Sequence, residues 1–159
     1  MNEFLKVTGN LEIIKKDKDG NIIETRNVPN LVVNTGKNLI AERIVGNTAN
    51  IFGGGFGRMA IGSNSSPALL SDVSLGPTEV QSKSPLSNVI SSNTITYTAI
   101  FSGKDGTAEA DGKTHSIREA AILGAPTANA GSMLCRTTFS TVTKEPTTSI
   151  TINWNITVS

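Results

Sequence analysis

The sequence contains one cysteine, one histidine, one tryptophan and one tyrosine in 159 residues, and neither charge is in excess, with 14 Lys and Arg against 13 Asp and Glu. Each scarcity excludes something. A lone Cys135 can form no internal disulfide and no cysteine-rich zinc site, so folding in a reducing cytoplasm is the simplest setting. Balanced charge without a Lys/Arg cluster, together with 4% aromatics, removes the electrostatic footprint and stacking platforms of a nucleic-acid binder. The start, MNEFLKVTGN, has no basic segment leading into an apolar one, and the apolar runs are only a few residues long. Neither a signal peptide nor a membrane span is therefore expected.

What the chain does have is β-branched residues: 19 Thr, 16 Ile and 10 Val make up about 28% of it. Such side chains lose rotamer freedom in helices and pack well on a pleated surface. Ser, Thr and Asn together supply 50 residues, so the solvated faces are built from short uncharged polar groups. Leu, Ile, Val and Phe reach about 26%, above the level of a disordered chain. These numbers describe one mainly β domain over residues 1–159, with an N-terminal hairpin, arm and helix (1–46) and a main β-module (58–159).

From Phe4 to Val28 the pattern predicts two strands about the turn KKDKDGN, in which Gly20 supplies a tight hairpin's positive φ and Lys15, Lys16 and Lys18 form an exposed tip. Pro29 ends the pairing. Asn30 to Val33 reads as a short apolar arm. Asn34-Thr35 then offers an N-cap for a helix with Leu39, Ile40 and Ile44 on one face, and Gly46 ends it. RMAIG at 58–62 reads as a buried strand. The polar segment 63–88, with Pro67, Pro77 and Pro85, reads as a long loop that wraps its own domain or reaches a neighbouring subunit. Four alternating strands follow. The residues sharing one face in each are Ile95, Tyr97, Ala99 and Phe101; His115, Ile117, Glu119, Ala121 and Leu123; Met133, Cys135, Thr137 and Phe139; and Ile150, Ile152, Trp154, Ile156 and Val158. Their turn signals suggest an antiparallel meander.

Chemistry is sparse. His115 could act as a general base with Glu119 or Asp111, yet no nucleophile elbow accompanies it, and we read it as a strand-end side chain. The GGGFG run at 53–57 lacks the Gly-Lys-Ser/Thr ending of a phosphate loop. DKDGN places its glycine too early for a calcium loop and has no closing Glu. Cys135, alternating with Met133 and Thr137, reads as a small buried hydrophobe. The sequons at Asn64 and Asn155 are chance matches in an Asn/Ser/Thr-rich chain. No enzyme activity, cofactor or metal is expected. Glu119, by contrast, is a carboxylate on a half-buried face and is expected to be paired with Arg136, Arg118 or backbone N–H groups, fixing strand register.

The order MAIGSNSSPALLSDVSLGPTE, a strand with Tyr97 and Phe101, then IREAAILGAPTANAGSMLCRTTFSTVTKEPTTSITINWNITVS resembles a small recurrent module of tailed-bacteriophage virion proteins. The matching residues are Ala60, Ile61, Gly62, Asp72, Leu75, Glu79, Glu119, Ala120, Gly131, Arg136, Phe139, Lys144 and Trp154. The sequence departs from the pattern in having Ala121 where a Gly often stands, only Lys83 as the basic residue after Glu79, and no Phe ending the motif. The resemblance implies a virion structural protein. Its size, neutral charge and long loop then favour a capsid decoration or cement protein bound to the major capsid protein or other virion proteins over a tail, baseplate or fibre-base component.

The expected fold is an antiparallel β-sandwich or partly closed barrel with one short α-helix. We expect a symmetric homo-oligomer, with a trimer as the working guess, located in the virion after assembly in the host cytoplasm, and bound to neither nucleic acid nor membrane. Glu119, Arg136 and Glu79 are assigned structural polar roles. Contact residues are expected in the N-terminal segment (Phe4, Lys16, Asn30, Leu31), the glycine bend (Phe52, Gly54, Phe56) and the long loop (Pro67, Leu70, Leu75, Pro77). A carbohydrate-binding alternative would need exposed aromatic rings, and its candidates, Tyr97 and Trp154, fall on apolar faces.

Overall fold

The computed structural model describes residues 6–44, 57–84, 86–102, 112–124 and 132–159. Among these, strands β1 (Val7–Lys16), β2 (Ile22–Pro29), β6 (Ser87–Ser91), β7 (Thr94–Phe101) and β10 (Ser149–Val158) form one antiparallel sheet in the order β2-β1-β10-β7-β6. A second antiparallel sheet, β3-β9-β8-β4-β5, comprises β3 (Leu31–Val32), β4 (Arg58–Gly62), β5 (Glu79–Lys83), β8 (His115–Leu123) and β9 (Met133–Lys144). The sheets face one another as a sandwich and do not close into a barrel.

The alternation read from the sequence builds the first sheet directly. Leu11 of β1 lies opposite Trp154 of β10, which lies opposite Tyr97 of β7, so three large side chains enter the core in one row. Ile13, Ile152 and Ala99 form the next row. From the other sheet Met59, Ile61, Ile117, Ala120, Ile122, Cys135 and Val142 meet them. Full burial of each large aliphatic side chain contributes about 1.5–3 kcal/mol, which makes this layer the main source of stability.

Three expectations need correction. The late strands are not a meander, because β7 and β10 belong to the first sheet while β8 and β9 belong to the second. The turn at Glu145–Thr148 carries the chain across the sandwich so that Ile150, Ile152, Trp154 and Ile156 face the core from the opposite side. Residues 63–88 are not one loop either. A 3₁₀ turn (Gly76–Thr78) and β5 follow Leu75, and β6 starts at Ser87. EVQSK and SNVIS hold too few apolar residues to show a period, since both strands lie at sheet edges. Finally, Ile117 and Glu119 do not share a face. A register shift between them, a β-bulge, turns Ile117 into the main core with Ala120 and Ile122, while Ala121 and Leu123 face outward. A second shift at Ile122/Leu123 likewise separates Met133 from Cys135.

The outward face of the second sheet is covered as well. Val33, Ala60, Leu75, Ala121, Leu123 and Met133 make a smaller core there. Helix α1 (Asn34–Ile44) packs on β9 beside it, so closely that a Cβ on Gly36 would come within 2.2 Å of the Leu134 carbonyl oxygen. Leu39 is buried beneath the helix, whereas Ile44 at its end is exposed. Thr35 does not cap the helix. Its hydroxyl donates to the Met133 carbonyl at 2.7 Å, and the first helical bond runs from Lys37 N–H to Val33.

Candidate functional site

The feature that stands out chemically is an ionic clamp on that covered face. Gly62 of β4 lies opposite Glu119 of β8 and Glu79 of β5, which brings two carboxylates to one end of the strand. Glu119 is fully buried. Its Oε2 accepts from Arg136 Nε at 3.0 Å and Nη2 at 2.9 Å, and its Oε1 accepts from the Thr78 hydroxyl at 2.7 Å and the Asn64 N–H at 3.1 Å. A buried carboxylate is costly unless both oxygens are engaged, and here both are.

Arg136, 4% exposed, continues outward from Glu119. Its Nη1 donates to Asp72 Oδ2 at 2.7 Å and to the Pro67 carbonyl at 3.4 Å, and its Nη2 donates to the Ser66 carbonyl at 3.1 Å. Burial works against the guanidinium's charge, but its hydrogen bonds to Asp72 and Glu119 outweigh that and raise its pKa above the ordinary value. One planar cation thus ties two carboxylates and two loop carbonyls, the geometry for which arginine is suited and lysine is not. Nearby, Arg58 pairs with Glu79.

Residues 63–75 are thereby strapped down over β8 and β9. Leu70 O accepts from Asn34 N–H, Ser63 N–H donates to Thr78 O, and Asp72 and Leu69 cap one another with two bonds. Gly62 is obligatory at the strap's root, because a Cβ there would lie 2.4 Å from Glu119 Oε1 and 2.7 Å from Thr78 O. Among its exposed serines (Ser63, Ser65, Ser66 and Ser71) the strap turns a group of apolar side chains to solvent: Leu69 is 59%, Leu70 44% and Val73 42% exposed, and Pro67 is exposed beside them.

Glu119, Arg136 and Leu70 are thus brought into one unit, with Pro67 at its edge, while Glu79 pairs separately with Arg58. Leu75 is corrected from a contact residue to a core residue. It is 6% exposed because the strap folds it inward against Ala60, Ala121 and Met133. The N-terminal candidates lie elsewhere. Lys16 stands half-buried at the end of β1, Leu31 pairs with Arg136 across β3 and β9, and Asn30 packs its side chain against Gly9. Phe4, Phe52, Gly54 and Phe56 lie outside the described residues. Asp72 was matched in the sequence only as part of a family pattern. It is the only charged residue between 63 and 78, which marks it out in the sequence without naming its partner.

His115 opens β8 opposite Lys144, four strand residues or roughly 13 Å from Glu119, whose oxygens are all engaged in the clamp. Asp111 lies outside the described residues. Burial pushes the Cys135 thiol well above its ordinary value, which suits a packing residue. Tyr97 and Trp154 are both buried, so neither offers a ring face to a sugar. Among the described residues no group of three or more His, Cys, Asp or Glu side chains is placed to hold a metal ion, and no helix is long and apolar enough to cross a membrane. Comparison of the chain with protein-family models, with curated proteins and with solved structures gave no match.

Proposed function

We propose that the chain is a structural protein of a tailed-bacteriophage virion and acts there as a capsid decoration or cement protein that binds major capsid subunits. The observation that carries this reading is the strap: an exposed apolar group of Leu69, Leu70 and Val73 held on a frame of buried ionic hydrogen bonds. Exposed apolar groups on a rigid frame mark a protein contact, because the ordering cost is met on folding and not again on binding. Repetition of a modest contact over a symmetric shell would make it strong through multivalency. The sequence resemblance supplies the biological setting, and the strap lies within the segment that carries it.

The test is co-sedimentation of the purified protein with capsids lacking it, followed by imaging of labelled virions. Binding to heads, reduced tenfold or more by Leu69→Asp with Leu70→Asp while the thermal unfolding midpoint is kept, is the expected result. Label confined to the tail would replace this reading with that of a tail or baseplate component. Absence of binding to any part of the virion would overturn both.

A further inference from the structure

A two-sheet sandwich has four edges, and three of them are blunted. At β2 the edge carries Glu24, Arg26 and Pro29, and Arg26 reaches across to the Ser140 and Thr141 carbonyls of β9. β3 is only two residues long. β5 is half-buried and begins and ends on charges, Glu79 and Lys83. These are the ordinary devices that stop a sheet from pairing with another chain. The fourth edge, β6, has none of them. SNVIS carries no charge, no proline and no bulge, every residue is exposed, and Val89 and Ile90 are 65% and 70% accessible.

The hairpin geometry says which backbone groups are free. Ser91 and Thr94 flank the two-residue turn Ser92-Asn93, where Ser92 has φ 54°, so this pair exchanges hydrogen bonds, and so do Val89/Thr96 and Ser87/Thr98. The N–H and C=O groups of Asn88 and Ile90 therefore point away from β7. Their natural complement is another extended strand.

We propose that β6 is a self-pairing edge: two copies of this chain join antiparallel about a two-fold axis through Val89, continuing the first sheet from one subunit into the next. This register pairs all five residues. Asn88 faces Ile90 of the second copy in both directions, giving four main-chain hydrogen bonds, and Ser87 faces Ser91. Val89 meets its own counterpart as a non-hydrogen-bonded pair, the closer kind, on the solvent face. Charge permits it, because the adjoining outward residues Thr94, Thr96, Thr98, Asn153, Asn155 and Thr157 are all uncharged. A second copy is favoured over a foreign strand because the outward main-chain groups of Asn88 and Ile90 complement their own copies about the two-fold axis, and the uncharged face beside them gives two copies no like-charge repulsion. The contact closes at two copies, in place of the guessed trimer. It deepens the expectation of self-association but needs no virion, so a failure here leaves the particle reading intact.

Sedimentation equilibrium of the full chain over a range of concentrations is the first measurement, and a reversible monomer–dimer equilibrium is expected. Ile90→Pro removes an outward N–H while sparing the bonds to β7, and symmetry doubles the loss, so dimer affinity should fall about tenfold or more. Should that variant unfold, Val89→Lys decides, since it alters only a solvent-facing side chain and places two ammonium groups across the axis. Val89→Cys should give an intersubunit disulfide on mild oxidation, because the non-hydrogen-bonded Cα separation of about 4.5 Å suits one. Ile100→Cys, one strand away, should not. A protein that stays monomeric, or a dimer indifferent to both edge substitutions and to Val89→Cys oxidation, would overturn the proposal.

Discussion

The two sheets solve the same problem in opposite ways. Each has five antiparallel strands and presents one face to a common core, yet the outer face of the first is open and that of the second is covered. On the open face Thr94 bonds Thr157, Thr96 donates to Asn155, Thr98 donates to Asn153, and Asn153 donates to Glu12, so cross-strand pairs satisfy one another at the surface. On the covered face the polar groups are buried ions. Short neutral side chains lose little by ordering and their partners can always be water. Buried charges have no such fallback, so the covered face is where a single change should be felt most.

Arg136→Ala tests that claim most severely. It leaves Glu119 with no cation in a fully buried site and frees the Pro67 and Ser66 carbonyls, and breaking a buried pair this way costs about 3–5 kcal/mol. Denaturant unfolding should show that loss, and limited proteolysis should cut first within 63–75. Pairing the change with Glu119→Gln should recover part of it, since the stranded charge is then gone. Equal stability of Arg136→Ala and the parent would mean the clamp is no more than a surface ion pair. Gly62→Ala comes next: its Cβ must displace both Glu119 Oε1 and the Thr78 carbonyl, and a cost of about 1–3 kcal/mol is expected in the same measurement.

The contrast also explains what could be read from the sequence. Strand β10 was legible residue by residue because one face is wet, so Ile150 to Ile156 alternate with Thr, Asn and Asn. In β4 and β8 both faces are dry, and RMAIG and EAAIL read as continuous runs in which period two carries no information about direction. The bulge beside Arg118 was invisible because Ile117 is the only aliphatic residue in HSIRE, too few to show a break in the period, and it reversed the face assigned to Ile117. Glu119 and Arg136 were legible as charges too costly to leave alone inside strands. Asp72 as their third member was not, because its place depends on how thirteen loop residues fold back, which no local pattern encodes. The same holds for Leu75, an apolar residue in a polar stretch that could equally have pointed out.

At the hairpin end a milder electrostatic link joins the sheets. The hydrogen bond from Lys15, at 2.8 Å, holds the Glu145 carboxyl below its ordinary value of 4.5, against a smaller opposing effect of burial. A carboxyl depressed in the folded state binds protons more readily in the unfolded one, so its contribution is complete above about pH 4.5 and is lost as pH falls through the folded value. Because Glu145 is more than a third exposed, solvent screens the link and the effect is modest. Glu145→Gln should lower stability slightly at neutral pH, leave it unchanged at low pH, and so flatten the acid limb of a stability–pH curve. An unchanged acid limb would assign it to other carboxylates.

The smallest effect is expected on the open face. Thr96→Val removes the hydroxyl that donates to Asn155 Oδ1 at 2.7 Å but keeps the branched shape that suits the strand, and water can take over the orphaned acceptor. A change within about 0.5 kcal/mol is therefore expected. If Thr96→Val instead costs as much as Gly62→Ala, the ladder is not a solvated surface but a covered one in solution. Because Val89 lies directly opposite Thr96, a large and concentration-dependent loss would point to a strand lying against β6. Measuring this variant at two protein concentrations thus separates a face that is open in every molecule from one that is open only in the monomer.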